Sequence, residues 1–366
     1  MKYIVLFLLV LSLLSCEKNR KHMVTGAEYV VNLDSASDSF PLPVDLRYVP
    51  LETNDISLIS SIDKILCRNQ AIYIFDKDSQ KVLVFRKDGR FLKSIHHVGQ
   101  GPGEYIYAAD IDVDDSGNIY VLDISSQSVI KYSSDNDSRF DVYKLNRSAL
   151  DLVVVNDTFL LSRVSKKGSF DINLALWHQG KFKVLQHNEL PESKSLAYAS
   201  LHYLFRSGRH INYYERFCPL VYQIVGDSLI HRIALYSDRW PSTGEIKSWS
   251  KKTLQEQNEV DYLKDISACY EIRNYIQMKV SALPPIHVLI HKPSGKYYVL
   301  GITNRLTIPL MGPVASTGDE FVSYYCPNSY SQKKILKDSL HITGEQRANI
   351  ESWGEEDNPI LVFYRF

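Results

Sequence analysis

The chain has 366 residues, 45% of them hydrophobic and 23% charged, with 42 basic and 42 acidic side chains. So much apolar material excludes a disordered chain, and the even charge balance lacks the basic excess that phosphate-backbone binding requires, so nucleic acid is not an expected partner. The length allows two or three ordinary domains or one large repetitive all-β unit.

In chain order, Met1-Lys2 is a short positive segment ahead of the apolar run Tyr3 to Leu14. That run falls short of the about 20 residues that a membrane-spanning helix needs, and it reads as an export signal. Leu13-Leu14-Ser15-Cys16 resembles the bacterial lipobox, which implies cleavage before Cys16 and acylation of its sulfur. Residues 1–15 are then a lipoprotein signal peptide, 16–26 a lipidated cysteine with a flexible tether, and 27–366 the folded part. Several acyl chains hold a protein to a bilayer where a single chain does so weakly. The expected address is the cell envelope, with the protein lipid-anchored in the outer membrane. The tether Glu17 to His22 carries no acidic run, so periplasmic and surface faces both stay open. With Cys16 acylated, Cys67, Cys218, Cys269 and Cys326 remain, widely spaced and without a C-x-x-C pair. Zinc and redox motifs are disfavoured, and buried free thiols are expected ahead of the three possible disulfide pairings.

Ile72 to Phe85 (IYIFDKDSQKVLVF) and Ile119 to Tyr132 (IYVLDISSQSVIKY) align without a gap at an offset of 47. Each is an apolar strand ending in aspartate, a polar turn and a second strand, which is a hairpin. Ser61 to Cys67 and Phe91 to Ile95 flank the first, and Ala109 to Val113 and Phe140 to Leu145 flank the second. Four strands per 40 to 50 residues, roughly, is the signature of a propeller blade. A third blade is predicted through Leu152–Val155, Phe159–Val164, Asn173–Trp177 and Phe182–Gln186. A fourth runs through His202–Phe205, Ile211–Tyr214, Leu220–Val225 and Leu229–Tyr236. Glu245 to Asp265 breaks the rhythm and predicts an amphipathic helical insertion over the rim. Strands resume at Tyr270 to Val280 and at the hairpin His287–His291/Tyr297–Ile302. Helical patterning between Ser331 and Trp353 precedes a closing strand, Ile360 to Phe366. Six blades fit the length, and ring closure is expected to pair that last strand with Tyr29 to Leu33.

The text Asp115-Ser116-Gly117-Asn118-Ile119-Tyr120-Val121-Leu122-Asp123 is similar to the NHL-type repeat. His97-Val98-Gly99-Gln100-Gly101-Pro102-Gly103-Glu104-Tyr105 resembles a signature of six-bladed β-propeller bacterial lipoproteins, and Glu355-Glu356-Asp357-Asn358-Pro359 resembles that family's C-terminal motif. The resemblance implies an all-β six-bladed propeller over nearly the whole mature chain. It implies no particular chemistry, because a shared fold does not supply a function.

The glycine-rich loop offers Gln100, Glu104 and Tyr105 as candidate ligand contacts, with backbone amides exposed for a carboxylate, phosphate or sugar hydroxyl. It lacks the Gly-Lys-Ser/Thr ending of a P-loop, and turn chemistry alone accounts for its glycines. Trp240 and Trp249 flank the insertion and are candidates for stacking on sugar rings. Asp110, Asp112, Asp114 and Asp115 do not fit an EF-hand loop. Alternate strand residues lie about 6.6 Å apart, so calcium would need ligands from other blades. His287 and His291 lie on a strand, about 13 Å apart, and cannot share a zinc. No G-x-S-x-G elbow appears. The leading reading is therefore a binding or interaction module for a glycan, a peptide or an envelope protein partner, with no cofactor, no metal site and no catalytic residue assigned. The alternative is a metal-assisted hydrolase or lyase with channel-lining Asp, Glu and His from several blades. A scaffold subunit of an envelope complex is the third.

Overall fold

The computed structural model describes residues 26–37, 40–165, 170–189, 202–249, 252–253, 256, 259–282, 284–301, 312–326, 344, 348 and 351–366. Two strands, β1 (Tyr29–Asn32) and β2 (Asp45–Pro50), come before the first complete blade. Blade I is β3 (Lys64–Arg68), β4 (Ala71–Asp76), β5 (Lys81–Arg86) and β6 (Phe91–Ile95). Blade II is β7 (Ala108–Val113), β8 (Ile119–Asp123), β9 (Ser128–Tyr132) and β10 (Phe140–Lys144). Blade III is β11 (Asp151–Val155), β12 (Thr158–Val164), β13 (Ile172–His178) and β14 (Lys181–His187). Blade IV is β15 (Leu204–Ser207), β16 (His210–Tyr214), β17 (Leu220–Val225) and β18 (Ser228–Tyr236). After the helix α1 (Thr243–Trp249), blade V is β19 (Asp265–Glu271), β20 (Tyr275–Ser281), β21 (Ile286–His291) and β22 (Tyr297–Gly301). Blade VI takes β23 (Ala315–Ser316), β24 (Phe321–Tyr325) and β25 (Ile360–Arg365).

The first strand of each blade faces the axis and the outermost, which in blade IV is the added β1, faces solvent. Middle strands such as β4 and β8 are buried on both faces, because each blade is packed between two neighbours. Their sequences accordingly read as apolar runs rather than as alternation. Between blades I and II the packing is Phe75, Val84, Ile111 and Val121; between II and III it is Leu122, Leu152, Phe159 and Trp177.

The repeated residues of blades I and II have an evident structural purpose. Asp76, fully buried, accepts hydrogen bonds from the amides of Ser60, Ser61 and Ser79. Asp123 does the same for Ile106, Tyr107, Ser125 and Ser126. One carboxylate thus fixes both the hairpin turn and the loop that enters the innermost strand. Gln80, at φ 53°, then reaches the next blade by accepting from the Ala108 amide at 2.7 Å.

The ring closes through strands from both chain ends, but not with the early strand expected. Its β25 pairs with β2, Asp45 opposite Arg365 through Pro50 opposite Ile360. Tyr29–Asn32 instead runs parallel to β18 as a fifth strand of blade IV. Asn358 locks the seam: its amide nitrogen donates to the carbonyls of Glu52 and Ser57, both at 2.8 Å, and its Oδ1 accepts from Ile59 N at 2.8 Å.

Among the described residues the insertion holds the short helix α1, capped at Ser242 by Glu245 in a reciprocal box, and helical residue 256, while residues 260–264 are not helical. Most of the Ser331–Trp353 segment lies outside the described residues, as do Cys16 and the export signal.

Candidate ligand site at the propeller axis

The innermost strands present free edges to the axis, and an unpaired edge requires partners for its amides and carbonyls. Charged side chains provide them here. Asp110 Oδ2 accepts from Leu152 N at 2.8 Å and Asp112 Oδ2 from Val154 N at 2.7 Å, so β7 covers the exposed amides of β11. Lys64 Nζ donates to Asp110 Oδ2 at 2.7 Å and to the carbonyls of Ile111 and Leu152. Arg206 donates to Asp112 Oδ2 at 2.9 Å and to the Val154 carbonyl, while Arg68 donates to Asp115 and the Val113 carbonyl. Asp151 accepts from Tyr203 N and Ser162 Oγ and pairs with His202 Nδ1 at 2.7 Å. A ladder of ion pairs therefore binds blades I to IV across the axis.

At the end where the strands begin, Asp110, Asp151 and His202 bring ligand-type atoms within 4.8 Å of one another. Asp151 and His202 are already paired with each other and Asp110 Oδ2 is engaged, while Asp110 Oδ1 has no partner; the Lys64 ammonium occupies the cationic place beside Asp110. Burial lowers the pKa of His202, but the hydrogen bond and charge of Asp151 outweigh it, so the imidazole titrates above its ordinary value. Burial raises Asp110 above the usual carboxylate range despite the Lys64 charge.

From Lys64 and Leu204 toward the other end of the strands extends a cavity of about 730 Å³, walled by residues of all six innermost strands: Lys64 to Arg68, Asp112, Val153 and Val155, Leu204 and Arg206, Tyr270, and Ala315 and Ser316. The turn Gly208-Arg209 between β15 and β16 overhangs it, with Gly208 at φ 59°. In this cavity Asp112 Oδ1, Arg206 Nε and Ser316 Oγ are buried without a hydrogen-bond partner.

Of the residues weighed from sequence, Asp112 and Asp115 line this cavity, whereas the ligand-contact candidates Gln100, Glu104, Tyr105, Trp240 and Trp249 do not. Gln100 and Glu104 are exposed on the connection between blades I and II, where Glu104 Oε2 accepts from Gly101 N at 2.7 Å. A Cβ on Gly99 would fall 2.0 Å from that carboxylate oxygen, so the Glu104 side chain in this position packs directly against Gly99. Tyr105 is buried and donates to the Gln80 carbonyl. Trp240 is half-buried, its Nε1 donating to the Leu235 carbonyl at 3.0 Å, and Trp249 is 3% exposed against Phe217 and Tyr262. Of the four aspartates, Asp110 and Asp112 reach the axis. Asp114 caps the turn through Ser116 N and Asn118 N, and Asp115 is exposed. Cys67, Cys218 and Cys269 are free thiols, burial pushing Cys67 and Cys269 up to about 12.

Lys64, Arg68, Asp151, His202, Arg206 and Arg209 were not singled out from sequence. Lys64 and Arg68 are the two ends of β3, Asp151 opens β11, and His202, Arg206 and Arg209 lie on or beside β15; the available signal, a charged residue within an otherwise apolar innermost strand, gains meaning only when the blades are placed around one axis.

A family model described as a domain of unknown function, DUF4934, matches residues 35–365. The chain belongs to the DUF4934 family. No curated protein matches it. Among solved structures, an exported-protein candidate of Bacteroides fragilis is similar, with a TM-score of 0.74 and 19% identity over 92% of this chain and 99% of that one. At that identity the likeness concerns the fold, and it agrees with the six blades. A DUF4221 member from Bacteroides vulgatus has a TM-score of 0.47 and 10% identity, covering 71% of this chain and 86% of that one. That similarity is too low to support any argument. Among the described residues no helix is long and apolar enough to cross a membrane.

Proposed function

We propose that this member of the DUF4934 family is an exported lipoprotein, held in the outer membrane through acylated Cys16, whose propeller binds a glycan, peptide or envelope protein partner at its axial mouth. The observation that carries the binding reading is the 730 Å³ cavity bounded by all six blades, with polar groups converging on it. Concave, preformed sites of about 300–1,000 Å³ are the usual form of small-ligand sites. The export signal and the similarity to a protein described as an exported candidate support the address. Mass spectrometry of Cys16 from the native host tests the anchor, an unmodified thiol counting against it. A glycan and peptide screen by thermal shift tests the site. Ligand binding that Val155→Trp abolishes, by filling the cavity, supports the mouth; binding indifferent to that change places the ligand elsewhere.

A metal-assisted hydrolase or lyase is the second reading, because Asp110, Asp151 and His202 are grouped closely enough to hold an ion. It requires Lys64 to give way, since an ammonium and a divalent cation would compete for Asp110. Metal analysis of the purified protein discriminates: a stoichiometric ion lost on Asp151→Asn favours the enzyme.

A further inference from the structure

Building on that binding reading, we infer that the axial mouth takes a small anionic ligand, one whose carboxylate lies beside hydroxyl or ammonium donors. The cavity is lined by four cationic side chains, Lys64, Arg68, Arg206 and Arg209, against two anionic ones, Asp112 and Asp115. Adding Asp110, which lies under Lys64, still leaves positive charge in excess. The chain as a whole is neutral, so this excess is local.

The cations differ in how much donor capacity remains. Lys64 is used up on three acceptors. Arg206 gives only Nη2 to Asp112 and Val154, leaving its buried Nε unpartnered. Arg209 is exposed at the turn and makes no ion pair among the described residues. Burial, and then the charge of Arg206, pull the Arg68 guanidinium below its ordinary pKa. An anion between the two guanidinium groups relieves that repulsion.

The three orphaned atoms specify more than charge. Arg206 Nε can only donate and requires an acceptor; ionised Asp112 Oδ1 can only accept and requires a hydroxyl or ammonium; Ser316 Oγ serves either role. A bare inorganic anion would leave Asp112 unsatisfied. A metal ion would face the arginines, and an apolar ligand would desolvate them without recompense. An acidic sugar or an acidic amino acid supplies both kinds of group, and guanidinium is suited to bidentate capture of a carboxylate.

The test is calorimetric titration of the whole chain, solubilised in mild detergent. D-glucuronate and D-galacturonate represent the sugar source, L-glutamate the amino-acid source, and D-glucose and D-galactose are the neutral counterparts. At least one acid should bind, weakening as salt is raised, with the neutral sugars at least tenfold weaker. Arg209→Gln should weaken the acid at least tenfold without moving the unliganded melt, and Arg209→Lys should recover part of the loss. The inference is overturned if no acid binds, if a neutral sugar binds as tightly as its acid, or if Arg209→Gln has no effect. Neutral binding that Val155→Trp still blocks removes only the anionic preference and leaves the binding module standing. Binding unaffected by Val155→Trp removes both.

Discussion

Where the innermost strands begin, the charges are paired, Lys64 on Asp110 and His202 on Asp151, with backbone amides and carbonyls adding further bonds and only Asp110 Oδ1 left without a partner. Where they end, Arg206 and Asp112 are paired yet each keeps an orphaned atom, and Arg209 projects over an open cavity. The same residue types thus hold the blades together at one end and stay available at the other. Evidence of ligand binding belongs at the end where Arg209 overhangs the open cavity, because paired charges offer a donor or acceptor only by first breaking a bond.

Substitutions along the axis should grade accordingly. Lys64→Met should cost most, about 3–5 kcal/mol in denaturant unfolding, because it leaves Asp110 buried and uncompensated. The double change Lys64→Met/Asp110→Leu should recover part of that loss; a single variant as stable as wild type would refute the matched-charge account. Arg206→Gln, at the boundary, should cost about 1–3 kcal/mol by stranding Asp112. The His202–Asp151 pair should show itself through pH. A histidine titrating above its ordinary 6.5 contributes stability that is complete below that pH and is lost as pH rises through the displaced value. The wild-type melt should therefore fall as pH climbs above 6.5, His202→Gln should flatten this limb, and equal slopes would remove the pair from the account. Arg209→Gln should be the mildest, within about 0.5 kcal/mol of wild type, because it leaves no buried group behind.

The seam gives a reference outside the axis. Asn358→Ala strands the Glu52 and Ser57 carbonyls and the Ile59 amide. A loss of about 2–4 kcal/mol in the same unfolding assay is expected, and a neutral result would deny the seam its locking role.

Much of the architecture was legible because it is local. The offset of 47 between Ile72 and Ile119 recurs with Asp76/Asp123 and Gln80/Gln127, residues that clamp turns and reach the following blade. The Asn358-Pro359 motif likewise stood out by its residues, although its partners in 52–59 did not. Ring closure was expected at Tyr29–Leu33 and falls instead on Asp45–Pro50, because strand pattern says nothing about which edge is vacant. Trp249 stood out by type and position beside the insertion, but its place against Phe217 and Tyr262 follows from packing.

The sequence by itself determined a repeating antiparallel sheet and a ring closed by its last strand. Those depend on periodicity, turn residues and short-range composition. Only the tertiary structure decided that Lys64, Asp112, Arg206 and Arg209 share one space, since they come from blades I, II and IV and meet only because the innermost strands of every blade converge on a single axis. A charge within an apolar strand is ambiguous in one dimension; it becomes a pair or a site only through the distance to its counterpart.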